Sequence, residues 1–382
     1  MTEPFHFSPH IETLHLGGEA QKSETNLRVI HLIKQLDEEG RTATTEEQKL
    51  LSHYVGWGDS AVLSSSYSEV ADAVTDEEFR SLQASTLNAH YTALPIIRAM
   101  WLGVMRLGAS KLPTLRVLDP SAGIGHFFSA MPEPLQANSR WVEIELDKVT
   151  AKILKYLHPD TEGRNAAFND GFENVRLIEN QFDLAISNVP FGNYPIVDRA
   201  IKESFLKSNI HDYFFVKALS LVKPGGVLAF ITSRYTLDKK NKTTREWLAR
   251  RADLLAAIRL PDTTFLDNAG TQVVTDILFL RKRHQVLEGS LPIWVDTEVI
   301  DPEVHCYDDR DTDTDGKIRQ NRIYGQHPAW IIGTTATRRG MYSRGEYTVK
   351  YDGSISIGDL VKEILEDVLH HKLSSVALSL PC

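Results

Sequence analysis

Between residues 115 and 280 the chain alternates short unbroken apolar runs with stretches of helical spacing. Residues 115–118, 141–144, a short run before Asp170, 182–186, 227–232, 254–260 and 275–280 read as buried strands. Helices are predicted from about Phe127, over 148–156, over 212–221 and over 244–251. Such alternation implies a mostly parallel sheet covered on both faces. The last two strands lie only about fourteen residues apart, with no room for a crossover helix, so that pair should be antiparallel. Lys223-Pro224-Gly225-Gly226 is expected to end the 212–221 helix and launch the next strand.

The flanks follow other patterns. Residues 1–23 are polar without sustained period and predict a loose arm. Leu27, Ile30, Leu32, Ile33 and Leu36 give a short amphipathic helix from Ser23 to near Gly40. Thr45-Glu46-Glu47 opens a second helix and Asp76-Glu77-Glu78 a third, so 24–84 reads as a helical annex. Within it, Trp57 stands between Gly56 and Gly58 after Tyr54-Val55, either a turn with a buried anchor, the preferred reading, or a binding surface. Ile96, Ile97, Met100, Trp101, Val104 and Met105 mark a helix that Thr92 is placed to cap, with Pro95 in its first turn. After about residue 285 the pattern weakens. Asp308 to Gly316 is an acidic exposed loop lacking the Glu that a calcium loop carries at its twelfth position. Ile357, Leu360, Val361, Ile364, Leu365, Val368 and Leu369 form the stripe of a helix that docks either on its own domain or on a partner. The expected division is therefore 1–23 arm, 24–84 annex, 85–285 main α/β domain and 286–382 a small α+β extension for target recognition or partner docking.

Composition changes this picture little. Of 382 residues 42% are hydrophobic, enough for a large core. The two cysteines, Cys306 and Cys382, have no metal-ligand spacing and suggest no disulfide framework, which fits a reducing cytoplasm. No basic leader followed by an apolar run opens the chain, and no run approaches a membrane span, so no membrane role is expected. The formal charge of −9 predicts weak intrinsic affinity for a phosphate backbone. Basic runs at 239–242, 250–251, 281–283 and 338–339 read as solvated faces.

Two loops carry the candidate chemistry. Asp119-Pro120-Ser121-Ala122-Gly123-Ile124-Gly125 follows the first strand and lets backbone approach a ligand closely, yet lacks the Lys-Ser/Thr of a phosphate loop, which suits a nucleoside without phosphates. Glu145, after the second strand, is placed to accept both ribose hydroxyls, with Glu143 and Asp147 as rivals. Asp170 could accept from an adenine amino group and Phe172 could stack on that ring. His90-Tyr91-Thr92 either caps the helix or supplies donors to a carboxylate at its N-terminus.

The second loop is Ser187-Asn188-Val189-Pro190-Phe191-Gly192, at the end of the fourth strand. An exocyclic adenine amine is a poor nucleophile because its lone pair is delocalised. The Asn188 side-chain oxygen and the Val189 carbonyl can accept from both amine hydrogens and free that lone pair. Pro190 stiffens the loop, and Phe191 offers a face to a base taken out of the stack. Orientation and electrostatics do this work without a general base.

Asp119 to Gly125, Asn188 to Phe191, and Arg259-Leu260-Pro261-Asp262-Thr263-Thr264-Phe265 followed by 275–280 resemble the motifs of adenine-specific DNA methyltransferases and of type I restriction modification subunits. Residues 54–58, 84–92 and His211-Asp212-Tyr213-Phe214-Phe215 are similar to the methylase portion of large methylase-helicase proteins of phages, plasmids and other mobile elements, some linked to antirestriction. The resemblance spans roughly residues 24–350. It implies a class I fold dependent on S-adenosylmethionine (SAM), with a seven-stranded sheet ending in an antiparallel hairpin. It further implies DNA, duplex or single-stranded, as substrate, and a helicase or specificity chain as partner. Carried over, His90, Tyr91 and Thr92 would hold the methionine part, beside Asp119 and Gly123. Glu145 would take the ribose, Asp170 the adenine, and Asn188 to Phe191 the target base. The usual first proline of that tetrad is Val189, which keeps the carbonyl and loosens the loop. The sixty-odd residues between the two loops leave no room for a target-recognition domain. Rival readings are a methylase of RNA adenine or protein glutamine, and an inactive SAM-binding module serving antirestriction or assembly. Cytosine ring-carbon methylation requires a nucleophilic Cys, and neither cysteine is in a plausible loop.

Overall fold

The computed structural model describes residues 3–11, 14, 17–58, 66–85, 91–161, 163–266, 272–303, 318–338 and 346–370. Asp308 to Gly316, His90 and both cysteines lie outside them. Seven strands form the central sheet: β1 (Leu115–Asp119), β2 (Ser139–Glu145), β3 (Asn165–Asn169), β4 (Phe182–Asn188), β5 (Val222–Ser233), β6 (Ala252–Leu260) and β7 (Thr275–Lys282). Their order is β3-β2-β1-β4-β5-β7-β6. β1 pairs in parallel with β2 and β4, β2 with β3, and β4 with β5, whereas β7 runs antiparallel to both β5 and β6. The predicted parallel sheet and antiparallel terminal pair are both present, and this is the class I SAM methyltransferase fold.

Strand alternation explains the two cores. Leu184, Ile186, Val227, Ala229 and Ile231 face one, and Ala185, Leu228 and Phe230 face the other. Full burial of each large side chain contributes roughly 1.5–3 kcal/mol. The first core gathers the annex helices with Leu94–Arg106 and Lys148–Leu157; the second gathers Ile210–Leu221 and Thr243–Arg251.

Several expectations change. The arm is docked: the Phe5 and Phe7 amides donate to the Leu157 and Ser129 carbonyls, each at 2.8 Å, and both rings enter the first core. The first annex helix is Glu19–Glu39, because buried Lys22, Ser23 and Asn26 extend the inner face with polar residues that mask its period. Gly40 ends it in the left-handed region, as predicted (φ 62°). Thr45–Leu51 carries a Thr44/Glu47 capping box, and an unpredicted helix, Tyr67–Ala73, precedes Asp76–Ser85. After the glycine loop comes only one turn, His126–Ser129. Lys223 to Gly226 is a bulge inside β5: Phe182 pairs with Val222, yet Leu184 pairs with Val227.

Beyond β7, β8 (Thr297–Ile300) pairs with β9 (Ile318–Asn321), and β10 (Thr334–Arg338) with β11 (Glu346–Lys350), both antiparallel. The last helix, Ile357–His370, settles the docking alternative: it packs on Leu94–Arg106, with Val361, Leu365 and Leu369 in the first core and Arg106 paired to Glu366 at 3.1 Å. Among the described residues no helix is long and apolar enough to cross a membrane.

Candidate active site

Strand order reverses between β1 and β4, and ligands of open α/β sheets bind outside the carboxyl ends at such a point. A cavity of about 360 Å³ opens there. Its walls bring together Tyr91 and Thr92, Pro120 to Gly123, Glu145, Asp170, Phe172, Asn188 and Pro190. Asp119, Gly125, Val189 and Phe191 are not on the walls.

Asp119 lies buried at the base of the glycine loop. Its Oδ1 accepts from Ser187 Oγ at 2.7 Å and from the Ser121 amide at 3.2 Å, while Oδ2 is buried without a partner. Burial, reinforced by the charges of Glu143 and Glu145, holds this carboxyl well above the usual range although the Ser187 bond opposes it. Gly123 (φ 58°) donates its amide to Glu145 Oε2 at 2.9 Å. Gly125 (φ 81°) serves packing, since a Cβ there would lie 2.1 Å from His158 Cε1 on the neighbouring helix cap.

Glu145 Oε1 accepts from the Asp147 amide at 2.8 Å, and burial pushes its carboxyl up to about 7. The geometry separates it from its rivals. Glu143 is buried against His158 Nδ1 at 3.1 Å, away from the cavity. Asp147 borders the cavity, but its oxygens cap the next helix through the Thr150 amide (2.7 Å) and accept from Ser81 Oγ (2.8 Å). Asp170 is exposed at the rim, with Oδ1 accepting from the Gly171 amide and Asn174 Nδ2. Phe172 borders the cavity as part of the second core, with the Lys217 ammonium 4.7 Å from its ring centroid.

Asn188 ends β4 on the cavity wall and donates Nδ2 to Thr92 Oγ1 at 3.1 Å. This bond replaces the cap predicted for Thr92: the helix starts at Leu94 after Ala93, with no side-chain cap, and Pro95 sits in its first turn as expected. The Val189 amide donates to the Ile231 carbonyl at 3.1 Å and its side chain is buried in the second core, so the residue expected to loosen the loop is tied to β5. Phe191 packs against the first core.

Sequence reasoning missed several cavity residues. Tyr54 and Gly56 reach the wall from the annex, held by Asn26, which donates to the Gly56 carbonyl (2.6 Å) and accepts from the Val55 amide (3.0 Å). Trp57 beside them is fully buried, the anchor rather than the surface. His126 borders the cavity, as does Tyr194 on the loop beyond Asn188. The position of His126 directly after the glycine loop hinted at it, but its ring is set by the distant Ser52 carbonyl. Among the described residues the walls carry Glu145, Asp147, Asp170 and Glu173 and no Lys or Arg. That charge pattern suits a cationic nucleoside and opposes a phosphorylated one. The open backbone at Gly123, on the cavity wall, fits the same ligand class.

A doubly wound sheet of this order with such a site at its switch point defines the class I SAM-dependent methyltransferases. Residues 99–264 match the family model described as Eco57I restriction-modification methylase, and SAM is the expected cofactor. Defense against restriction protein B of Escherichia phage P1 is 28% identical over 273 residues, covering 71% of this chain and 11% of that protein. Type II methyltransferase M.BanIII of Aneurinibacillus aneurinilyticus is 25% identical over 235 residues, 53% of this chain and 40% of that enzyme. The chain thus spans about a tenth and two fifths of these relatives. Among solved structures, a type I restriction-modification methyltransferase subunit from Streptococcus thermophilus aligns over 62% of this chain and 55% of its own, with 16% identity and a TM-score of 0.43.

Proposed function

We propose that the domain transfers a methyl group from SAM to the exocyclic amino group of adenine in DNA. The observation that carries this reading is Asn188, which shares one cavity with the glycine loop and Glu145, its amide fixed by Thr92. SAM supplies an electrophilic methyl on a sulfonium centre. Tyr91 and Thr92 hold its methionine part beside Asp119 and Gly123, Glu145 accepts from the ribose, and Asp170 accepts from the adenine amine at the rim. With Nδ2 held by Thr92, Asn188 offers Oδ1 to one hydrogen of the target amine, and the Val189 carbonyl receives the other. Pro190 restricts the loop, so both acceptors are oriented before the amine arrives. Phe191, half-buried against the first core beside the cavity, backs the loop and is assigned the aromatic face for an unstacked base.

With a net charge of −9 and an acidic cavity, productive DNA binding is expected to draw on a second chain, a helicase or specificity subunit. The likeness to Defense against restriction protein B of Escherichia phage P1 supports an antirestriction role on a mobile element. The test is transfer of labelled methyl from SAM to unmethylated duplex and single-stranded DNA, with RNA and a cell protein extract in parallel. Label recovered as N6-methyladenine in DNA supports the reading. Label in RNA or protein replaces the substrate, and bound SAM with no label in any arm identifies an inactive module.

A further inference from the structure

His126 directly follows the glycine loop and is 7% exposed on the cavity wall. Its Nε2 lies 3.2 Å from the Ser52 carbonyl, which can only accept, so Nε2 carries the proton. Burial lowers its pKa to about 4, and the ring is neutral at physiological pH. Nδ1 is then an acceptor, buried and without a partner. Tyr91 meets the ring edge-on at 5.6 Å between centroids and Phe7 at 5.4 Å, so the docked arm and the annex carbonyl hold it from two sides.

A buried acceptor without a partner, on a residue that borders the cavity, is costly unless a donor reaches it. The donor should be cationic, because the surrounding walls carry carboxylates and, among the described residues, no Lys or Arg. Tyr91, in contact with the ring, belongs to the segment assigned to the amino-acid end of the cofactor. We infer that His126 is a cofactor-binding residue, its Nδ1 accepting a hydrogen bond from the α-ammonium of the methionine moiety. The inference rests on the SAM reading and assigns one end of that ligand.

Calorimetric titration of the full chain with three ligands separates the outcomes. S-adenosylhomocysteine carries both ammonium and carboxylate, decarboxylated SAM keeps the amine alone, and 5′-methylthioadenosine lacks both. His126→Phe should weaken the first two roughly 10- to 100-fold and the third less than about twofold. His126→Asn, whose Oδ1 can occupy the Nδ1 position, should recover most of the loss. Equal weakening for all three ligands would reduce His126 to a structural role, and unchanged affinity would remove it from the site. Nitrogen NMR of the wild-type ring gives a readout independent of any variant. The Nδ1 resonance should move on adding S-adenosylhomocysteine and stay in place with methylthioadenosine; the same response to both overturns the inference. Failure of the wild type to bind any of the three would instead overturn the cofactor reading beneath it.

Discussion

Asn188 Nδ2 and Thr92 Oγ1 meet at 3.1 Å, joining the end of β4 to the segment that opens helix Leu94–Arg106. A side chain that must present its oxygen needs its nitrogen held elsewhere, and this contact does so. Thr92→Val keeps the shape and removes the acceptor. Methyl transfer should fall about 10-fold or more, with cofactor affinity also reduced because Thr92 is assigned to the methionine part, whereas Asn188→Ala should abolish transfer while still binding cofactor. Paired turnover and binding measurements check both; an Asn188→Ala protein as active as wild type would end the proposed mechanism.

Asp119→Ala should act on binding rather than on the target amine. It removes the acceptor of Ser187 Oγ and the carboxyl oxygen that has no partner. Cofactor affinity is expected to drop about 10-fold or more, with a loss of about 1–3 kcal/mol in stability because the Ser187 hydroxyl keeps only the Ser121 carbonyl at 3.5 Å. Calorimetry and urea unfolding read the two effects separately.

Cofactor affinity should depend on pH through Glu145, whose carboxyl is raised to about 7 in the free protein. Accepting from two ribose hydroxyls requires the ionised form. Affinity therefore rises as pH climbs from about 6 to about 8, by up to roughly tenfold per unit below the pKa. The same group lends the free fold stability at low pH that is lost as pH rises toward 7, since the folded state holds the proton more tightly than the unfolded chain. Glu145→Gln should flatten the binding profile; a profile of unchanged slope in that variant would place the ribose elsewhere.

Gly125→Ala tests which glycine serves packing. With φ at 81° and His158 Cε1 2.1 Å from the added carbon, the variant must strain the backbone and displace the ring from Glu143 and Ser129. A cost of about 1–3 kcal/mol or more is expected in thermal or urea unfolding. The same change at Gly123, where the nearest side-chain atom is 3.6 Å away, leaves the conformational strain without the collision.

Arg259 secures the extension to the sheet. Its Nε and Nη2 pair with Asp276 at 2.8 and 2.9 Å, Nη1 lies 2.8 Å from Asp238, and Tyr324 and Tyr347 flank the guanidinium at 4.2 and 5.0 Å. All of this is buried. Arg259→Met strands two carboxylates and should cost about 3–5 kcal/mol. Asp276→Asn combined with it should recover part of that loss in urea unfolding.

Features local in the chain were legible. Leu115 to Gly125 and Phe182 to Asn188 each join an apolar run to a loop, so both the strand and the ligand side of its end could be read from adjacent residues. Thr92 misled because a hydroxyl before a helix fits a cap as well as it fits a distant amide. Tyr54, Gly56 and His126 required tertiary knowledge: Asn26 and Ser52, which set the annex loop and the imidazole, belong to annex helix Glu19–Glu39 and to the end of Thr45–Leu51. Phe5 and Phe7 were hidden by the polar residues around them. The charge of −9 located nothing, because the acidic groups that matter gather on one cavity.

The position of β7 bears on how such a domain can be exchanged between genes. The family segment ends at residue 264, yet the strand lying between β5 and β6 is Thr275–Lys282, and the helix closing the first core is Ile357–His370. A recombination event that moved only the segment carrying the motifs would deliver a sheet split down its antiparallel half and a core missing its lid. The smallest piece that can fold as a working part is therefore larger than the segment that matches the family model, and its right-hand limit is set by packing rather than by chemistry.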